Sequence, residues 1–291
     1  MEHSASRKRR AITTLGFAAG LVGVLLGGCA QTPAPSEDLG FNLVTPGKLT
    51  VAFVDGNLPN LALAPDGTLE GMDGAWINAF AEAHDLEVVP VPMEFTAQIL
   101  AVQQGKVDIG TSTYYTEERA HEVYYAYPFY RDTTGIYVRN GEFDGLDALE
   151  GHKIGTIRGW TFGPFIEETY GVENTVYFED IPQAYSALVN GQIDGMVNSS
   201  GGTFEEAYLQ FADKIEFHAM EAGDMGLPAE LIANQSHNYV RCDNPGLADA
   251  MDDVMQELHD SGRWAEVQGE YNVPATPDYT AELVKPTQLC D

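Results

Sequence analysis

Two stretches of the chain repeat one another, and that repeat constrains the fold more than any other feature. Residues 98–113 read QILAVQQGKVDIGTST and residues 184–200 read AYSALVNGQIDGMVNSS. In each, apolar residues recur at helical spacing (Ile99, Leu100, Val102; then Tyr185, Leu188, Val189) and a glycine follows where a helix ends, Gly105 and Gly191. A β-branched residue and an aspartate then open a short apolar strand (Val107-Asp108, Ile193-Asp194) that closes in small hydroxyl side chains. Ahead of each copy lies a buried-strand signature, LTVAFVDG at 49–56 and KIGTIRGW at 153–160. Strand alternating with helix predicts parallel sheet covered on both faces. A motif set that returns after roughly a hundred residues predicts two such lobes, and two copies are too few for a solenoid. The length of 291 residues and the 44% hydrophobic content suit two moderate lobes with real cores.

In open α/β sheets a ligand sits beyond the carboxyl ends of the strands. Those ends are Thr111-Ser112-Thr113 and Asn198-Ser199-Ser200, with Asp55-Gly56 and Gly159-Trp160-Thr161 at the other pair. Both lobes offer short polar side chains there, so a cleft between them is the expected site. Asp66-Gly67 is a hairpin turn signal, residues 74–84 and 246–258 read as amphipathic helices, and Pro274 and Pro277 end the last helix.

The first thirty residues read as an address. Arg7, Lys8, Arg9 and Arg10 precede an uncharged run from Ala11 to Gly28, and Leu26-Gly27-Gly28-Cys29 resembles a bacterial lipobox. The expectation is a lipoprotein signal peptide over 1–28, lipidation at Cys29 and a flexible tether over 29–44. A membrane span is the alternative, since eighteen apolar residues approach spanning length, and Arg9-Arg10 leaves the Sec or twin-arginine export route open. The net charge is −29; without residues 1–28, which hold four basic and one acidic residue, 11 basic and 43 acidic residues remain and the charge is −32. So acidic a surface repels phosphate backbones and anionic headgroups, which excludes nucleic acid as a partner and requires a lipid to hold the membrane. The expected location is the outer face of the cytoplasmic membrane. In that oxidising compartment Cys242 and Cys290 are expected either to pair, pinning the C-terminal tail, or to stay as two free thiols. No CxxC pair or histidine motif predicts a metal, and no cofactor is implied.

Within residues 67–130 stand Gly71-Met72-Asp73, Gly105-Lys106-Val107-Asp108, Thr116-Glu117-Glu118-Arg119 and Tyr127-Pro128-Phe129-Tyr130. In that order and spacing they resemble the first lobe of the family 3 extracytoplasmic solute-binding proteins, the receptors of polar amino acid ABC importers. The resemblance continues in 153–159 (KIGTIRG) and in Ser261-Gly262-Arg263-Trp264, covering about 46–273. The resemblance implies a type II periplasmic-binding-protein fold: two Rossmann-like α/β lobes joined by a two-strand hinge. Lobe 1 would be discontinuous, 45–134 plus 236–291, with lobe 2 over 135–235. It further implies a monomer that closes on a small carboxylate-bearing solute, most simply an amino acid or derivative, and delivers it to an ABC permease.

On the same resemblance Arg119 grips the ligand carboxylate through two parallel charge-assisted bonds. Ser112, Tyr114 and Thr161 join the clamp, with Tyr114 replacing the usual small residue and narrowing the pocket. Relatives place an acid for the ligand ammonium where this chain has Ser199, preceded by Asn198. Either the ligand lacks an ordinary amine, as an organic acid or betaine does, or Asp55 or Glu205 stands in. Trp160, with Tyr114, Phe162 and Phe53, is expected either to wall the cleft or simply to pack. A dehydratase-like enzyme and a ligand-sensing domain are the alternatives; the chain has no Gly-x-Ser-x-Gly or His-Glu-x-x-His motif, and Pro286 to Asp291 offers no membrane helix.

Overall fold

The computed structural model describes residues 39–200, 206–273 and 283–290. The signal peptide, Cys29, most of the tether and Glu205 lie outside the described residues. Lobe 1 begins with β1 (Lys48–Phe53), a hairpin of β2 (Ala62–Leu63) and β3 (Leu69–Glu70), and α1 (Met72–Ala83). It continues with β4 (Glu87–Pro92), α2 (Phe95–Gln103), β5 (Ile109–Tyr114) and the single turn α3 (Glu117–Ala120). The 16-residue strand β6 (Tyr124–Arg139) leads to lobe 2: β7 (Ile154–Ile157), α4 (Gly163–Tyr170), β8 (Thr175–Phe178), α5 (Ile181–Val189) and β9 (Gly195–Ser199). After α6 (Glu206–Leu209), β10 (Ile215–Ala219) and α7 (Ala229–Ile232), β11 (Ala233–Val240) returns to lobe 1, which α8 (Pro245–Asp260) and α9 (Arg263–Glu270) complete.

The repeat predicted from sequence is a repeat in space. Lobe 1 orders its parallel strands β4–β1–β5, and lobe 2 orders its own β8–β7–β9. Gly105 and Gly191 do close their helices with positive φ, +62° and +68°. The aspartates that follow explain why that residue recurs. The Asp108 carboxylate accepts the N–H groups of Val44 (2.7 Å) and Thr50 (2.8 Å), and Asp194 accepts Lys153 N–H at 3.1 Å. Each carboxylate thereby holds the start of the neighbouring strand, β1 or β7, in register. Side chains of β1 alternate between two cores, as the strand period requires. Leu49, Val51 and Phe53 join Trp76, Phe80, Met251 and Trp264 on one face, while Ala52 packs with Val102, Tyr125 and Tyr239 on the other. Buried clusters around Ile136, Phe162 and Val197, and around Tyr137, Tyr185 and Met196, do the same for lobe 2.

β6 and β11 are the two hinge strands. Along β6, residues 124–133 pair with β11, whereas Thr134 to Arg139 pair with β9 on one side and β10 on the other. Thus nine strands among the described residues form one continuous sheet that changes lobes inside β6. Pro128, which has no N–H to donate, falls at the register shift opposite His237.

Two further segments are tied down. The tether expectation fails for its last residues: the Asn42 N–H donates to Asn244 Oδ1 at 3.1 Å, and Phe41 packs 5.7 Å from Phe80. An apolar ring and an Asn pair give this stretch enough contact to order it. At the other end Cys242 and Cys290 are disulfide-bonded. The tail they hold crosses the back of the hinge, where Gln235 and Val284 exchange hydrogen bonds and Lys285 pairs with Asp249 and Asp252.

Candidate functional site

A cleft of about 820 Å³, its open mouth included, lies between the lobes at the carboxyl ends of β1, β5, β7 and β9. The dominant charge in it is Arg119. Thr116 caps α3 by accepting the Arg119 N–H at 3.1 Å, which fixes where the side chain starts. Instead of reaching back to Glu117 or Glu118, the guanidinium turns into the cleft. It donates to Thr113 Oγ1 (3.2 Å), to the Tyr114 carbonyl (3.1 Å) and, across the cleft, to the Gly159 carbonyl (2.6 Å), and it lies 5.1 Å from the Phe95 ring centroid. Burial pushes its pKa below the ordinary arginine value. No ion pair among the described residues involves it. A desolvated cation without a carboxylate is poised for an anion from outside.

The cross-cleft bond and the packing of Gly159 on α2 bring the lobes into contact. A Cβ on Gly159, which has φ +81°, would stand 2.4 Å from Thr96 Cγ2. Gly159→Ala is therefore expected to prop the lobes apart and weaken ligand affinity by about 1–3 kcal/mol, the usual cost of overpacking. Titration calorimetry would read the loss, and small-angle scattering would show a ligand-bound form less compact than the wild type's.

Thr161, Tyr114, Trp160, Asn198 and Ser199 all line this cleft. The Thr161 hydroxyl is buried yet has no hydrogen-bond partner among the described residues. The Tyr114 hydroxyl donates to Asp132 at 3.0 Å, so its ring walls the cleft while its polar end faces the hinge. Phe162 backs both Tyr114 (6.2 Å) and Trp160 (6.3 Å) from a fully buried position, but Phe53 belongs to the lobe 1 core. Ser199 is nearly buried beside Asn198, whose Oδ1 accepts the Ser199 N–H at 2.7 Å.

Asp55 is not brought to the cleft. Its Oδ1 accepts the N–H groups of Gly56 and Leu63, both at 2.8 Å, and it stands exposed, closing the loop after β1. The loop puts Asn57 and Asn60 into the lining instead, and the side-chain oxygens of both are buried without a partner among the described residues. Sequence reasoning missed them, and also missed Phe95, Glu179 and Asp180 at the cleft. Asp180 carries a readable signal, since it precedes Ile181-Pro182 as the N-cap of α5 and accepts Gln183 N–H at 2.8 Å.

Ser112 is more constrained than expected. It sits in the left-handed region at φ +51°, its N–H donates to Asn238 Oδ1 at 3.2 Å, and its hydroxyl hydrogen-bonds Asp73 Oδ2. Asp73 occupies the first turn of α1 because Gly71, at φ +100°, lets the chain pass where a Cβ would meet the Asn60 carbonyl at 2.3 Å. Asp73 is fully buried and its Oδ1 has no hydrogen-bond partner among the described residues. Burial pushes its carboxyl up to about 7, against the opposing pull of the Ser112 hydrogen bond and of the nearby Asn238 amide.

The sequence profile of the bacterial extracellular solute-binding proteins, family 3, matches residues 49–274. A probable histidine-binding protein of Campylobacter jejuni is 25% identical over 81% of this chain and 92% of its own length. Among solved structures, an ancestral arginine-binding protein bound to glutamine superposes with a TM-score of 0.67 at 21% identity, covering 78% of this chain and 98% of that one. An arginine-, lysine-, histidine-binding protein of Geobacillus stearothermophilus gives 0.67 at 19% identity, covering 77% and 94%. These likenesses show the two-lobed fold of type II periplasmic binding proteins. No helix of the described residues is long and apolar enough to cross a membrane. With a profile match spanning most of its length, the chain belongs to the bacterial extracellular solute-binding proteins, family 3, and is an extracytoplasmic solute receptor rather than an enzyme.

Proposed function

We propose that the protein captures an amino acid or close derivative, with Arg119 and Thr161 clamping its carboxylate as the lobes close, and passes it to an ABC permease. The observation that carries this reading is the Arg119 guanidinium, desolvated in the cleft and without a carboxylate partner among the described residues. The names of the relatives support the ligand class: those proteins bind histidine, arginine, lysine or glutamine. Lipid attachment at Cys29, a monomeric state and the lobe limits at 134/135 and 235/236 belong to the same reading. The lipobox-like Leu26-Gly27-Gly28-Cys29 and the handover of β6 pairing after Thr133 support the first and the last.

A thermal-shift screen of the twenty amino acids, betaines and simple organic acids tests the ligand class. Stabilisation by one or a few amino acids is the expected result; stabilisation only by compounds without an α-amine would replace the amino acid with an organic acid or betaine. Thr161→Val separates binding from folding. Its hydroxyl has no partner among the described residues, so stability should hold, while loss of one hydrogen bond to a charged ligand weakens binding by about 1.5–3 kcal/mol. Equal calorimetric affinities for Thr161→Val and wild type would take Thr161 out of the clamp.

A further inference from the structure

We propose that Asp73, acting through the Ser112 hydroxyl, supplies the negative charge for the ligand's α-ammonium that the uncharged Ser199 does not. The proposal rests on the amino-acid reading above. Ser112 lines the cleft, and Asp73 lies directly behind it, hydrogen-bonded to its hydroxyl. A hydroxyl has one proton to give and two lone pairs. An ionised carboxylate can only accept, so Ser112 must turn its proton toward Asp73, and its lone pairs are left for the cleft. A protonated Asp73 can donate its own O–H to Ser112 Oγ, which frees the serine proton to point at the ligand. The charge on Asp73 thus sets whether the cleft sees an acceptor or a donor at Ser112, and an ammonium needs the acceptor.

Three neighbouring features fit. An ammonium has three N–H donors, and the lobe 1 wall offers three acceptors, Ser112 Oγ with the unpartnered Asn57 Oδ1 and Asn60 Oδ1. Asp73 itself is fully buried with Oδ1 unpartnered, and no ion pair among the described residues compensates it. The groups facing it from the packed elements are neutral: Ser112 from β5, Asn238 from β11, and the Asn60 backbone carbonyl, which accepts the Asp73 N–H at 2.9 Å. A ligand cation one hydroxyl away is the counter-charge this carboxyl lacks, and its arrival expels the carboxyl proton to solvent. Burial, which pushes Asp73 up to about 7, places that exchange in an accessible pH range.

Isothermal titration calorimetry of the mature full-length protein between pH 5.5 and 8.5, in buffers of different ionisation enthalpy, tests this. The probes are L-arginine, L-lysine and L-glutamine, with the α-amine-free counterpart of whichever binds best. Between these pH limits the probes' own carboxylate does not titrate, and their α-ammonium begins to do so only at the alkaline end, so the comparison is read from the acidic half of the range. Expected are proton release approaching one per ligand, a Kd that weakens up to tenfold per pH unit below about 7, and a flat profile without proton release for the amine-free compound. Asp73→Asn should flatten the amino-acid profile and weaken binding at pH 8 at least tenfold. Ser112→Ala should weaken binding at pH 8 similarly with the acid still in place, which decides the matter if Asp73→Asn does not fold. Amino-acid binding that is independent of pH and releases no proton overturns this proposal and leaves the amino-acid reading standing. Failure of every amino acid to bind at any pH overturns both.

Discussion

Replacing Arg119 by alanine is expected to weaken ligand binding by about 2–5 kcal/mol, a loss of roughly 30-fold to several thousand-fold, without lowering the stability of the ligand-free protein. The two halves of that expectation have one cause. The guanidinium is desolvated and bonded only to neutral oxygens of Thr113, Tyr114 and Gly159. In the empty receptor it is a charge removed from water with no carboxylate in direct contact, only the more distant Glu118 and Glu122, so its deletion relieves about as much as it removes. In the complex the same deletion strands the ligand carboxylate inside a body of net charge −29. Arg119→Lys should recover only part of the affinity, because an ammonium cannot make two parallel bonds to a carboxylate. Calorimetric titration gives the affinity and thermal melts of the ligand-free forms give the stability. A variant that melts well below the wild type would assign Arg119 a structural role, and one that binds with unchanged affinity would remove it from the site.

Much of the frame was legible because its determinants are local. The helix-closing Gly105 and Gly191, the strand-opening Asp108 and Asp194, and the apolar β1 and β7 each act within a few residues of themselves. β6 was not readable in that way. Its 16 residues include a proline, charged side chains and a glycine, since one half serves the lobe 1 sheet and the other serves lobe 2, and no single period covers both environments. At the site, Arg119 was legible through the Thr116-Glu117-Glu118-Arg119 motif, and the structure gives it neutral partners and an open cleft. Asp55 read as a cleft acid because it follows a strand, yet its carboxylate is used up by two backbone N–H groups of its own loop. Asn57 and Asn60 carry no such signal; only the path of the loop past the cis Leu58-Pro59 bond shows that they reach the cleft. Ser112 was readable as a cleft residue, but its bond to Asp73 joins positions 39 residues apart and depends on how α1 docks against β5.

That docking yields the second large effect, with a sign opposite to the usual outcome of a core substitution. Asp73→Asn is expected to stabilise the ligand-free protein at pH 8 by on the order of 2–4 kcal/mol. Burial raises the Asp73 carboxyl in the folded protein to about 7, against 3.8 for the ordinary group. A raised carboxyl binds its proton more tightly when folded. Its contribution is therefore fully favourable below about pH 4, declines as pH rises through 7, and stays unfavourable above it. Asparagine has nearly the same shape, can still hydrogen-bond Ser112, and carries no charge to desolvate. Chemical denaturation at pH 4, 6 and 8 should accordingly show the two proteins converging in acid and separating in the neutral range, with the variant the more stable. The wild-type deficit should shrink when an amino acid occupies the cleft, since its ammonium then balances the buried charge. A variant less stable than the wild type at every pH would mean that the Asp73 hydrogen bonds outweigh its desolvation. In that case the carboxylate is a structural clasp between α1 and β5, ionised throughout the neutral range, and holds no proton there for the ligand to displace.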